Sequence, residues 1–175
     1  MKLEINVWDY AGQIIEKTGK GGILLTTACE NKVNTMTIGW GTLGIQWGKP
    51  IFIAFVRESR ITDEMLKKNP EFTVNIPLDT VRKDILSLCG TRSGRDVDKF
   101  ATLGLTQEPG KTVDVPGIRE LPLTLECKVI YKQKQDLSAI PENILTRYYP
   151  ADETGYQDYH YAYYGEIVSA YIIEE

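Results

Sequence analysis

Period-two alternation of apolar and polar residues dominates two stretches of the chain. Between Thr35 and Trp40, Met36, Ile38 and Trp40 share one face, and Thr35, Thr37 and Gly39 share the other. Between Thr124 and Gln133, Leu125, Cys127, Val129 and Tyr131 oppose Glu126, Lys128, Ile130 and Lys132. Such alternation marks strands with one apolar face, and the second stretch reads as a long, half-exposed antiparallel strand. Residues 22–28 are β-rich, entered through Gly21-Gly22 and left through the polar turn 30–32. Pro50 opens a strand over 51–57, apolar on both faces up to its arginine and therefore expected to be covered on both sides. Residues 72–76 read as a short strand ended by Pro77, and 161–173, rich in aromatic and β-branched residues, as a last one.

Four segments read as helices. Residues 62–68 begin with a hydroxyl, carry acids in the first turn and lysines in the last, and stop at Pro70; Thr62 is the expected cap. Residues 80–89 place Val81, Ile85 and Leu88 on one stripe, with Gly90 following. Residues 96–103 are expected to be capped by Asp96, and 141–148 run from Pro141 to a break at Pro150. Residues 106–122, rich in Pro, Gly and polar side chains, read as a long loop with one short strand. Strands, then helices, then strands again, without βαβ alternation, predict an antiparallel barrel with helices at its edge or mouth. A single domain over residues 1–175 is expected.

Composition narrows the functional classes. The chain carries a net charge of −4, so no broad basic face for nucleic acid is expected. Its three cysteines, Cys29, Cys89 and Cys127, are odd in number and widely spaced, against a disulfide framework or a zinc site. The first residues lack an apolar leader segment, and the longest apolar run, Ile51 to Val56, is far too short to span a bilayer. A cytoplasmic protein with no membrane partner is the expectation.

The segment from Asn34 to Thr62 is richest in chemistry. Arg57 and Arg60 supply fork-shaped cations, Ser59 and Thr62 supply hydroxyls, and a helix begins beside them; together they suit a phosphate dianion. The plainer alternative is an ordinary ion pair and an ordinary cap. Upstream, Gly39, Gly41 and Gly44 permit close approach to the backbone, Thr35 and Thr37 suit a heteroaromatic edge, and Trp40 and Trp47 suit walls. Bulges and core packing are the alternative there. Residues 89–100 form a turn-rich loop that places Lys99 toward an anionic or electron-rich edge, or else a solvated surface. His160 is the only histidine, which excludes a His-rich metal site; it orients a substrate or is structural.

These motifs resemble the flavin reductase-like FMN-binding split barrels, the flavoredoxin-type branch in particular. The likeness lies in Asn34-Thr35-Met36-Thr37-Ile38-Gly39-Trp40, Val56-Arg57-Glu58-Ser59-Arg60-Ile61-Thr62, Ser93-Gly94-Arg95-Asp96-Val97-Asp98-Lys99-Phe100, and His160 with Tyr164-Gly165-Glu166-Ile167. The resemblance implies a mainly β fold with peripheral helices, an antiparallel split barrel of Greek-key type, forming a homodimer with FMN near its interface. It implies that Asn34, Thr35, Met36, Thr37 and Trp40 lie along the flavin ring. Arg57, Ser59, Arg60 and Thr62 would hold the phosphate, and Ser93, Gly94 and Lys99 would approach the flavin. The expected activity is NADH- or NADPH-dependent flavin reduction, with hydride passing to flavin N5. No Gly-x-Gly-x-x-Gly follows a strand, so the nicotinamide would dock directly on the flavin. The alternatives are an electron carrier to a small-molecule, metal or protein acceptor, and a non-catalytic flavin-binding module.

Overall fold

The computed structural model describes residues 1–174. β1 (Lys2–Glu4) leads through a 3₁₀ turn into α1 (Ala11–Lys20), followed by β2 (Ile23–Cys29), β3 (Lys32–Ile38), β4 (Gly41–Gln46) and β5 (Lys49–Arg57). Next come α2 (Ile61–Lys68), β6 (Glu71–Ile76), α3 (Lys83–Thr91) and α4 (Lys99–Leu103). The chain continues with β7 (Gln107–Glu108), β8 (Gly117–Ile118), β9 (Leu123–Lys134), α5 (Glu142–Tyr148) and β10 (His160–Ile173). The expected mainly β architecture with peripheral helices is what the structure shows. No helix among the described residues is long and apolar enough to cross a membrane.

Eight strands form one sheet in the order β3-β2-β6-β9-β10-β5-β4, with β1 on the end of β10. Every pairing is antiparallel. β10 is the spine: Tyr161 pairs with both Val56 of β5 and Lys134 of β9. Register shifts after Tyr164 and Ile167 bend it, and at Gly165 an added Cβ would lie 2.4 Å from the Phe72 ring. Glu30 and Asn31 join β2 to β3 with φ of 49° and 62°, and Trp47 and Gly48 join β4 to β5 with φ of 53° and 69°. Positive φ at both central positions is the tight hairpin turn that matches strand twist. One apolar cluster, built around Leu25, Phe52, Phe72, Leu125 and Tyr163, joins β2, β5, β6, β9 and β10. A second, around Leu24, Ile85, Phe100 and Leu121, seats α3 and α4 against β2.

Several boundaries differ from the sequence expectation. α1 and β4 are additions to the expected elements, each carrying glycines that lower its propensity: Gly12 and Gly19 in α1, Gly41 and Gly44 in β4. α4 starts at Lys99 rather than 96, because Asp98, not Asp96, accepts the Ala101 amide at 3.0 Å. β9 is not half-exposed throughout: Leu123 to Cys127 are buried on both faces, Glu126 included. The reason is the 106–122 loop, which folds over it. Glu126 accepts the Lys111 amide (2.6 Å), the Thr112 amide (2.7 Å) and the Thr112 hydroxyl (2.6 Å).

Candidate functional site

An open cleft of about 210 Å³ lies where four separated segments meet. β3 and its exit give Asn34 and Met36 to Trp40, and the β5–α2 connection gives Phe55, Arg57 and Arg60 to Thr62. The end of α3 and the following turn give Cys89, Gly90 and Arg92 to Gly94; Lys99 and His160 complete it. Sheet pairing creates part of this meeting, since His160 sits opposite Arg57 in the β10–β5 ladder. Four lining residues, Arg57, Arg60, Arg92 and Lys99, are basic, and none is acidic.

Lys99 is buried at 4% exposure and donates to the Thr35 carbonyl (2.7 Å) and the Cys89 carbonyl (3.0 Å). Burial pulls its pKa below the ordinary lysine value. A buried ammonium without a carboxylate partner is costly, and an anion or electron-rich group in the cleft offsets that cost. The floor is a short polar chain. Asn34 donates to the Thr62 hydroxyl at 3.3 Å, and Thr62 donates to Met36 Sδ at 3.2 Å. Gly94 closes against Asn34; a Cβ there would lie 2.0 Å from Asn34 Oδ1, so only glycine fits this approach. Trp40, 42% exposed, stands as a wall with its ring 5.1 Å from those of His160 and Tyr148.

His160 is buried, and its Nδ1 lies 2.8 Å from the Tyr149 hydroxyl. Burial and then the Arg57 charge push its pKa down to about 4, with Arg60 adding to the fall and Asp158 opposing it. The ring is therefore neutral at physiological pH. Cys89, which also lines the cleft, is pushed up to about 11 by burial and is an inert thiol near pH 7.

Of the residues expected from sequence, Asn34, Met36, Thr37, Trp40, Arg57, Arg60, Thr62, Ser93, Gly94, Lys99 and His160 converge here. Thr35 does not. It is fully buried on the opposite side of β3, where its hydroxyl donates to the Leu25 carbonyl at 3.3 Å. Thr37 reaches the wall, but its hydroxyl donates to the Leu86 carbonyl at 2.7 Å. Arg57 is largely spent: Nη1 donates to the Asp158 carbonyl (2.5 Å) and Nη2 to the Tyr148 carbonyl (2.8 Å). Ser59 lies off the cleft, its hydroxyl 2.6 Å from Asp158 Oδ2 and its amide 3.1 Å from Oδ1. Thr62 is not the cap of α2; Arg60 occupies that position. Trp47 is no wall of the cleft but joins Tyr131 and Tyr164 elsewhere, and Gly41 is small because the Phe52 ring abuts it.

Phe55 is a lining residue that sequence reading passed over, and Arg92 is one it held only as a basic residue of the 89–100 loop. Arg92 neighbours the Ser93-Gly94 motif, and that adjacency was the available signal. Among the described residues, no side-chain partner is found for the guanidinium groups of Arg60 and Arg92, so these two face the cleft uncommitted.

The family described as "Flavin reductase like domain" matches residues 16–175. An uncharacterized protein of Archaeoglobus fulgidus is 33% identical over 99 residues, covering 57% of this chain and 55% of that protein. The match thus spans little more than half of that relative's length. Flavoredoxin of Desulfovibrio vulgaris (Miyazaki F) aligns at 25% identity and a TM-score of 0.64, over 87% of this chain and 69% of that one. An FMN-binding domain of a flavin reductases-like enzyme from Shewanella baltica shares the fold at 17% identity and a TM-score of 0.63, over 98% and 77%. The eight-stranded sheet with its edge helices is the split-barrel fold of these proteins.

Proposed function

The chain belongs to the flavin reductase-like family, and from that membership we propose that the cleft holds FMN and that the protein is an oxidoreductase, reducing flavin with NADH or NADPH. One observation carries the reading. In a chain of net charge −4, the cleft gathers four basic side chains and no acidic one. Such a surface selects a small anion. The donor set fits a phosphorylated flavin: Arg60 and Arg92 are the free forks for the phosphate, and Trp40 and Met36 offer flat apolar contact for a ring. Bound FMN supplies the hydride chemistry. The protein's share is to bind, orient and shelter it. Lys99 favours electron density gathering beside it, and no side chain is required as acid or base.

A second reading keeps FMN and changes the partner. The similarity to flavoredoxin favours an electron carrier to a small-molecule or protein acceptor. Steady-state turnover of free FMN with NADH or NADPH separates the two: the reductase turns over added flavin, whereas the carrier retains a single tightly bound one. The cleft itself is tested by titration. Arg60→Ala is expected to weaken FMN affinity by about tenfold to a hundredfold, the worth of a charge-assisted hydrogen bond. Arg60→Lys should recover only part of it, since a point charge lacks the fork. Equal affinity in wild type and Arg60→Ala would reject the phosphate assignment.

A further inference from the structure

The polar groups behind His160 form a chain whose proton count has one solution. Gln135 Oε1 accepts the His160 backbone amide at 3.3 Å. Tyr149 is buried, and among the described residues its hydroxyl has one hydrogen-bond neighbour. A phenol proton left without an acceptor in a buried site is costly, so it goes to that neighbour. That neighbour is His160 Nδ1, at 2.8 Å. The Arg57 guanidinium, 5.2 Å from the centre of the Tyr149 ring, makes the phenol a better donor and a second positive charge on the imidazole unfavourable. Nδ1 is then an acceptor and the proton of the neutral ring sits on Nε2. The ring is part of the cleft wall, beside Trp40 and opposite Arg57, and Nε2 has no partner among the described residues.

We propose that Tyr149 is a positioning residue that locks His160 in its Nε2-protonated form, making it a fixed hydrogen-bond donor to an acceptor atom of the ligand's ring. The ligand half of this rests on the flavin reading above; the proton half does not. Tyr149 lines no part of the cleft and acts only through the imidazole. The consequence is selective: a donor that cannot become an acceptor admits a carbonyl or bare ring nitrogen opposite it and disfavours an N–H there.

Because His160 is the only histidine in the chain, ¹⁵N-histidine labelling gives one imidazole to read. In the wild-type protein, the nitrogen shifts are expected to report a neutral ring protonated at Nε2. Tyr149→Phe keeps the aromatic packing and removes the phenol proton, so both tautomers should become populated. Gln135→Met, which removes the acceptor of the His160 backbone amide and leaves the phenol in place, should keep the wild-type tautomer and serves as the control. Addition of FMN, with occupancy followed by flavin absorbance, should shift the wild-type Nε2–H resonance and slow its exchange with water. A wild-type ring protonated at Nδ1 would overturn the relay. An unchanged tautomer in folded Tyr149→Phe would overturn the positioning role. An unmoved Nε2–H signal at full FMN occupancy would overturn donation into the cleft, whereas failure to take up FMN at all would instead remove the flavin reading.

Discussion

His160 couples the cleft to the stability of the protein. Its folded pKa of about 4 lies below the ordinary value of 6.5, because burial and then Arg57 disfavour the cation. Between these values the unfolded chain binds the proton and the folded one does not. Stability is therefore intact above about pH 6.5, falls as the pH drops through the window, and levels below about 4. The full effect is on the order of 3 kcal/mol. His160→Gln, which does not titrate, should flatten the dependence of Tm on pH between 6.5 and 5, above the range where most carboxylates protonate. An unchanged slope in calorimetry would show that other groups carry the acid sensitivity. That His160 belongs to the cleft was legible in sequence through its motif. Its partners were not: Tyr149 and Gln135 lie 11 and 25 residues away, and nothing local marks them. Arg57 and Ser59 are the converse case. Their side-chain types suited a phosphate, but carbonyls and a carboxylate brought near by tertiary packing took their donors first.

Glu126 makes three hydrogen bonds to the 106–122 loop, beside single ones from Glu71, Thr73 and Asn75. Burial pushes the Glu126 carboxyl upward, yet the Thr112 hydroxyl and the Lys111 and Thr112 amides bring it below the usual value. Its contribution is thus present above the ordinary carboxylate pKa and lost as the pH falls through its lowered folded value. Glu126→Gln keeps the shape but turns an acceptor atom into a donor facing an amide, at a cost of about 1–3 kcal/mol. Amide exchange at Lys111 and Thr112 should rise in step with that loss; protected amides in the variant would mean the loop is held by other contacts. Period-two reading placed β9 within two residues at each end, but it put Glu126 on the open face, because a loop that covers a strand leaves no trace in the strand's own pattern. α2 was similarly legible from its charge order and Pro70, while its first residue was not. Thr62 looks like a cap, but its hydroxyl points back to Met36, leaving Arg60 at the helix entrance.

The β4–β5 hairpin carries an apolar surface that the monomer leaves uncovered. Ile45 is 71% exposed and Trp47 58%, and Trp47 adopts a left-handed φ of 53°, costly for so bulky a side chain. Tyr131 and Tyr164 extend the patch, with ring centres 5.0 Å apart. We propose that a second copy of the chain covers this surface, in line with the dimer that the sequence motifs imply. Trp47→Glu should convert the species in sedimentation from dimer to monomer while leaving the far-UV spectrum unchanged; a monomeric wild type would refute it. The strand-helix-strand order sufficed to infer antiparallel architecture, because βαβ units leave a clear alternation when present. Which strands adjoin was beyond local pattern, since β10 lies between β9 and β5, over 25 and 100 residues earlier in the chain. That insertion has a consequence during synthesis. Until residues 160–173 leave the ribosome, β5 and β9 both present bare hydrogen-bonding edges, and the barrel exists as two unjoined halves. A nascent chain in that state is open to pairing with its neighbours on the same message, and the emergence of β10 is what ends the hazard.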